Sequence, residues 1–294
     1  MAPEFRLLSV HAHPDDESSK GAPTVARYHD LGVGTTLVCC TGGEAGDILN
    51  PAMDLPEVRE NIGEVRLNEL KVATGVIGYD NVDLLGYHDS GMPDTETNAR
   101  PDNFWNAPIE ESTERLVQII RRDRPHVILT YRDERDGGYN HPDHVRVHEI
   151  SLPAFDRAGD PAWYPEAGEP WTPLKMYYAA WSRKRMLALH EKFLELGIES
   201  PFDEEWFKRW EERGDTDAEV TTQIDIRGYY EIREKALLAH ATQIDPNSAF
   251  WFGLPTEVTE ELHPYEDYIL AASRVDSPVP EEDLFAGVPG WSGL

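Results

Sequence analysis

Two short segments carry residues with the types and spacing for metal-assisted hydrolysis. One is HAHPDDES, residues 11–18; the other is GGYNHPDHVRVH, residues 137–148. Imidazole nitrogens and carboxylate oxygens hold zinc in compact sites, and a catalytic site leaves one position open. His13 and Asp16 are three apart, which fits one turn at a helix start, and His144 supplies a third ligand from the other segment. That makes a His2Asp set with room for water. Asp15 adjoins a ligand but faces elsewhere, so it is free to act as base on the attacking water. His141 lies three before His144, with Pro142 stiffening the loop between them. As an imidazolium it would face the substrate carbonyl oxygen and stabilise a tetrahedral oxyanion. Tyr139, after the flexible Gly137–Gly138 pair, could donate a hydrogen bond to the same oxygen. Asp143 is a candidate partner that fixes a histidine tautomer. One catalytic Zn(2+) is the expected cofactor; Fe(2+) in the cell suits the same ligands, as does manganese.

Each segment alone has an ordinary explanation. His-Pro-Asp turns are common, and an aspartate after a proline caps a helix. The pair weighs more than either. Other histidines carry less: His11 reads as a core or supporting residue, and His126 as structural. His29, His148 and His190 read as surface or packing residues. His240, in LLAHATQ, reads equally well as a site residue or a structural one.

The elements that must position these groups follow from periodicity. FRLLSV (5–10), TTLVCCT (35–41), VDLLGY (82–87) and HVILTY (126–131) read as strands. Helical spacing covers 19–31, 57–78 and 109–125, with Val58, Ile62, Val65, Val72 and Val76 as the apolar stripe of the second. Strands alternating with such helices form βαβ units and a largely parallel sheet. HAHPDDE follows strand one and HPDH follows strand four. In the common doubly wound order these strands are neighbours where the strand order reverses, and ligands bind outside their carboxyl ends. The expected fold is α/β, a Rossmann-like layered fold with a largely parallel central sheet and a C-terminal elaboration. A single catalytic domain over 1–294 is expected, with 1–160 as core and 161–294 as an elaboration walling the site. Helices are expected at about 183–196 and 228–243. DEEWFKRWEERGDTDAE (203–219) reads as an exposed acidic insertion, and the Pro- and Gly-rich tail 277–294 as loosely packed.

The formal charge of -28 repels nucleic acid and anionic membranes, so neither is an expected partner. Cys39 and Cys40 are adjacent and form no disulfide framework; they read as small residues on opposite faces of a buried strand in a reducing compartment. No signal peptide or long apolar run is evident, so a cytoplasmic location is expected. TGGEAGD is not the dinucleotide fingerprint, and no GxSxG elbow occurs, which argues against a nicotinamide dehydrogenase and a serine hydrolase. A non-catalytic zinc-containing carbohydrate-binding protein is the opposing class.

HAHPDDE and GGYNHPDHVRVH, together with TGGEAGDILNP, DSGMP (89–93) and AHATQIDP (239–246), resemble the PIG-L/LmbE-like zinc-dependent N-acetylglucosaminyl deacetylases over nearly the whole chain. The resemblance implies zinc on His13, Asp16 and His144, Asp15 as general base, His141 as charged oxyanion stabiliser and a contribution from Tyr139. It makes Glu44, Arg66 and Asp89 candidates for sugar-hydroxyl contacts; Arg66 reads equally as the ion-pair partner of a nearby glutamate. DDESSKG, with Lys20, and the Trp-rich second half resemble members that cleave the amide of mycothiol S-conjugates to a mercapturic acid and glucosaminyl-inositol. Lys20 would meet the cysteinyl arm there, or else is a solvated helix-end lysine. The alternative is deacetylation of N-acetylglucosaminyl-inositol or a related aminosugar. The expected partner is thus a small pseudodisaccharide or thiol conjugate; a homo-oligomer is compatible with the sequence.

Overall fold

The computed structural model describes residues 4–133, 135, 140–211 and 216–293, with backbone alone at 209 and 211. Seven strands form one sheet: β1 (Arg6–His11), β2 (Gly34–Thr41), β3 (Asn81–Tyr87), β4 (Val127–Thr130), β5 (Lys175–Ala180), β6 (Thr222–Asp225) and β7 (Tyr265–Ser273). Their order is β3-β2-β1-β4-β5-β7-β6. β1 to β5 run parallel, while β7 is antiparallel to both β5 and β6. β1 is buried on both faces because both are covered, as parallel sheets require. Leu8 and Val10 enter a core shared with the helices Ile109–Asp123 and Pro142–Arg157. Leu7 enters the opposite core, shared with the helices Ala22–Asp30, Ile62–Ile77 and Tyr230–Ala239. Cys40 joins the first core; Cys39 packs with Leu37 and Leu70 on the other side of β2. Both thiols are free and buried.

The four expected strands and the parallel pairing are present, and Leu7 of β1 pairs with Val127 of β4. Differences lie in how helices break and in the second half. The helix expected at 19–31 is divided: a four-residue turn, Asp16–Ser19, then Ala22–Asp30. Gly21 makes the break at φ 106°, and a Cβ there would lie 3.2 Å from the Tyr268 hydroxyl. The 57–78 helix divides at Asn61. Its buried face carries Arg66, Glu69, Leu70, Ala73, Thr74 and Ile77, whereas Val72 is exposed. A hydrophobic stripe cannot find a face whose buried members include an arginine and a glutamate.

The 203–219 segment is not a wholly exposed insertion. It contains the helix Glu204–Glu211, whose Trp210 is buried with Met186, Leu189, Phe193 and Phe202. Nor is the tail loose: Leu284, Phe285 and Val288 are buried against β1 and the helix Ala22–Asp30. Lys175 of β5 and Glu281 of the tail form a fully buried ion pair at 2.5 Å, to which Tyr177 adds a 2.7 Å hydrogen bond. Among the described residues, no helix is long and apolar enough to cross a membrane.

Candidate metal centre

β1 and β4 lie side by side where the strand order reverses, so the loops leaving their carboxyl ends share one space. The β1 loop brings His13, Asp15 and Asp16; the segment after β4 brings His141, Asp143 and His144 at the start of the helix Pro142–Arg157. The ligand atoms of His13, Asp16 and His144 lie within 4.8 Å of one another, all buried. His13 Nδ1 is 3.6 Å, and His144 Nε2 is 3.4 Å, from the same Asp16 oxygen, Oδ2. Two imidazoles and a carboxylate converging in a buried space are a donor set suited to zinc or another divalent metal.

The electrostatics also call for a cation. Burial opposes charge on His13, yet Asp89, Asp143 and Asp16 overcome it and raise its pKa well above the ordinary value. Burial likewise opposes ionisation of Asp16, but Lys20, then His144 and His13, hold its carboxyl well below the usual range. Lys20 Nζ sits 2.6 Å from Asp16 Oδ1, the oxygen turned away from the histidines.

His13 is oriented from behind. Its Nε2 is 3.2 Å from Asp143 Oδ2, and that oxygen also accepts from the Ser90 backbone N–H at 2.9 Å. The Ser90 hydroxyl bonds the other Asp143 oxygen. With a metal on Nδ1, the proton on Nε2 would be donated to Asp143, the tautomer whose Nδ1 lone pair faces Asp16 and His144. Asp143, expected to fix a histidine tautomer, stands within hydrogen-bond reach of His13 Nε2.

His141 departs from its expected charge state. Its Nδ1 accepts the Asp143 backbone N–H at 3.2 Å and caps the helix. A nitrogen that accepts this bond carries no proton, so the ring is a neutral Nε2–H donor. Burial, reinforced by the charge of His13, pushes its pKa down to about 3. It remains able to donate to an oxyanion through Nε2.

Asp15 has φ 118°, a left-handed backbone in a residue other than glycine. Arg66 holds it there, donating to the Pro14 carbonyl at 2.6 Å and to Asp15 Oδ2 at 3.2 Å. Burial raises the Asp15 pKa, against the opposing pull of Arg66. Arg66 is itself buried and also donates to the Gly43 carbonyl at 2.6 Å. A Cβ at Gly43 would lie 2.5 Å from its guanidinium carbon, so the glycines of TGGEAG let the loop wrap this side chain. Arg66 therefore pairs with an aspartate, not with a neighbouring glutamate. Asp89 is buried between the two histidines, 3.7 Å from His13 Nε2 and 4.0 Å from His141 Nε2. Glu44 stands outside it, accepting from the Asp89 backbone N–H at 3.1 Å and lying 2.7 Å from His88 Nδ1. Tyr139 lies outside the described residues.

Sequence reasoning passed over Glu17. It is fully buried, accepts the Asp15 backbone N–H at 2.9 Å, and lies 2.6 Å from His240 Nε2. His240 therefore stands one residue behind the site. The signal was present in HAHPDDES, where a third acidic residue follows the pair. Glu69 similarly holds the backbone and hydroxyl of Thr242, at 2.8 and 2.7 Å, in the AHATQIDP stretch.

Residues 8–155 match the PIG-L family, GlcNAc-PI de-N-acetylase. The chain belongs to the PIG-L family. A mycothiol S-conjugate amidase from Streptomyces coelicolor is 45% identical over 98% of this chain and 99% of its own. A 1D-myo-inositol 2-acetamido-2-deoxy-alpha-D-glucopyranoside deacetylase from Geodermatophilus obscurus is 37% identical over 99% of this chain and 100% of its own. Further deacetylases of that description are 38–39% identical. In three dimensions the chain is similar to N,N'-diacetylchitobiose deacetylase from Pyrococcus horikoshii, with TM-score 0.61, 16% identity and coverage of 90% of this chain and 83% of the other. At that identity the likeness concerns the fold. Family and metal-ligating cluster together establish a metal-dependent amidase or deacetylase.

Proposed function

We propose that this PIG-L family member hydrolyses the N-acyl bond of a glucosaminyl-inositol, with His13, Asp16 and His144 holding one zinc ion. The observation that carries the reading is the buried His2Asp cluster at the β1/β4 reversal, with Asp15 next to it on a strained backbone. Zinc bound there supplies Lewis acidity toward the amide carbonyl and makes water easier to deprotonate. Asp15 accepts the proton from the attacking water, and its raised pKa suits it to pass that proton to the leaving amine. His141 donates from Nε2 to the carbonyl oxygen as negative charge develops. Asp143 keeps His13 in the ligand tautomer. Arg66 fixes Asp15 rather than touching sugar, while Glu44 and Asp89 line the approach.

Two acyl groups fit this chemistry. The larger number of relatives supports acetyl, as in N-acetylglucosaminyl-inositol. The 45% relative supports the cysteinyl amide of a mycothiol S-conjugate. Free-amine release from both substrates, measured side by side with zinc content, tests the proposal. Hydrolysis of either one, lost when zinc is removed, is the expected result, and the larger kcat/KM assigns the acyl group. Stoichiometric zinc with neither amide cut would return the protein to the binding class.

A further inference from the structure

Away from the metal centre, the second half of the chain encloses a cavity of about 50 Å³. It lies between the helices Arg183–Glu195 and Tyr230–Ala239 and the segment 249–259. None of the metal-ligating residues lines it. The helix Tyr230–Ala239 links the two places, with Tyr230 and Arg233 at the cavity and His240, next after its last residue, bonded to Glu17.

The cavity's polar groups are not satisfied. Arg185, Tyr230 and Arg233 are each buried to more than nine-tenths. Among the described residues, Arg185 Nε and Arg233 Nε have no hydrogen-bond partner, and the Tyr230 hydroxyl and Arg233 Nη1 have at most each other, in a poorly formed contact. Native interiors leave few such groups, and each calls for a cause. The two guanidiniums also differ. Arg233 is paired with Glu266 through Nη2. Among the described residues Arg185 makes no ion pair: the Trp181 ring lies 5.4 Å from its guanidinium carbon, and Glu266 and Asp267 act on it only through space. Burial lowers its pKa, as expected of a cation without a close anion. An uncompensated buried charge is expensive, so a chain with formal charge -28 that leaves a guanidinium bare is presenting it to something.

We propose that this cavity binds the carboxylate head of a small organic acid whose apolar tail lies against the aromatic walls. The carboxylate supplies acceptors for Arg185, Arg233 and the Tyr230 hydroxyl, the pairing that planar guanidiniums favour. Roughly 10–15 Å³ of such space holds one water, so the enclosed part takes a carboxylate with little more. Trp181, Phe250 and Trp251 supply apolar surface for the tail. A single negative charge matches Arg185, which among the described residues is the arginine lining this cavity without an ion pair. Glu234 also lines the cavity, held by the Thr256 hydroxyl and paired with neither arginine, and it sets a repulsion that a dianion would feel more strongly.

Calorimetric titration of the zinc-loaded full-length protein with phenylacetate is the test, with neutral phenylacetamide and sulfate as comparators. Saturable phenylacetate binding is expected, with both comparators weaker. Arg185→Met should weaken phenylacetate on the order of tenfold or more, the loss of a charge-assisted hydrogen bond, and leave amide hydrolysis unchanged. Tyr230→Phe keeps the ring and should weaken binding severalfold, which decides the matter if Arg185→Met fails to fold. Glu234→Gln should tighten it. Binding that survives both the Arg185 and Tyr230 changes, or that disappears in His144→Ala, would place phenylacetate at the metal and overturn the proposal. Equal binding of sulfate, or no phenylacetate binding by the unaltered protein, would also overturn it.

Discussion

With φ at 118°, the backbone at Asp15 is held in a conformation that costs on the order of 1–3 kcal/mol in a residue with a Cβ. Arg66 and Glu17 hold it there from either side, through the Pro14 carbonyl and the Asp15 N–H. Strain maintained in this way beside a ligand set fits a base that must not become a ligand. Asp15→Asn should therefore keep its zinc and lose about 10²–10⁴-fold in turnover; a variant with full zinc and near-normal turnover would remove Asp15 from the chemistry. Lys20 leads to a second expectation. Its ammonium is engaged by Asp16 Oδ1 at 2.6 Å, so it acts on the site through Asp16, a ligand in the proposed zinc set. Lys20→Ala should reduce zinc affinity and slow acetyl and cysteinyl substrates to a similar degree. A loss confined to the cysteinyl conjugate, with zinc affinity intact, would instead make Lys20 a contact for the acyl arm. The residue types and spacing in HAHPDDES and HPDH made the convergence of His13, Asp16 and His144 legible. The charge state of His141 was not, because it depends on one backbone N–H reaching Nδ1.

The helix Tyr230–Ala239 is tied to the site by the buried pair of His240 and Glu17. Burial opposes charge on His240, but Glu17 raises its pKa above the ordinary 6.5. Burial likewise opposes ionisation of Glu17, and His240 lowers its pKa. The sign follows for each partner. His240 contributes stability fully below pH 6.5 and loses it as pH rises through its higher folded value; Glu17 contributes above its ordinary 4.5 and loses it as pH falls through its lower folded value. The melting-temperature advantage of the unaltered protein over His240→Gln should thus be largest between these limits and shrink as pH rises past 6.5. An advantage that grows with alkalinity would show that His240 is neutral in the fold. At this scale the first half was legible because local periodicity determines βαβ units. The second half was less so. β5 pairs with β7, whose Ala272 opposite Met176 is 96 positions away in sequence, and β6 is a four-residue strand, Thr222–Asp225. Such elements exist because of their partners, and a window of local sequence contains no partner. The tail is the same case: its Glu281 is acidic among prolines, yet it is the buried counterion of Lys175. Glu281→Gln should cost about 3–5 kcal/mol in denaturant unfolding, as a broken buried pair does; a change within experimental scatter would show the tail to be dispensable.

Over the whole molecule, 55 acidic residues face 27 basic ones. Many of the basic groups are already committed to surface pairs such as Arg100–Asp102 and Arg115–Glu111, which contribute little individually. The balance is a broad negative potential that repels itself and draws cations inward. Salt acts on both effects. At physiological ionic strength the screening length is about 8 Å, so repulsion between distant carboxylates is largely removed while buried pairs such as Lys175–Glu281 are little affected. The melting temperature of the metal-free protein should consequently rise as sodium chloride is added from low ionic strength. Zinc association should move the opposite way, because screening weakens the field that concentrates a divalent cation near the His13–Asp16–His144 cluster. Stopped-flow zinc uptake at increasing salt separates this field effect from ligand geometry. A slower association with an unchanged dissociation rate is expected. An association rate indifferent to salt would mean that local donors alone govern metal capture and that the acidic surface serves solubility.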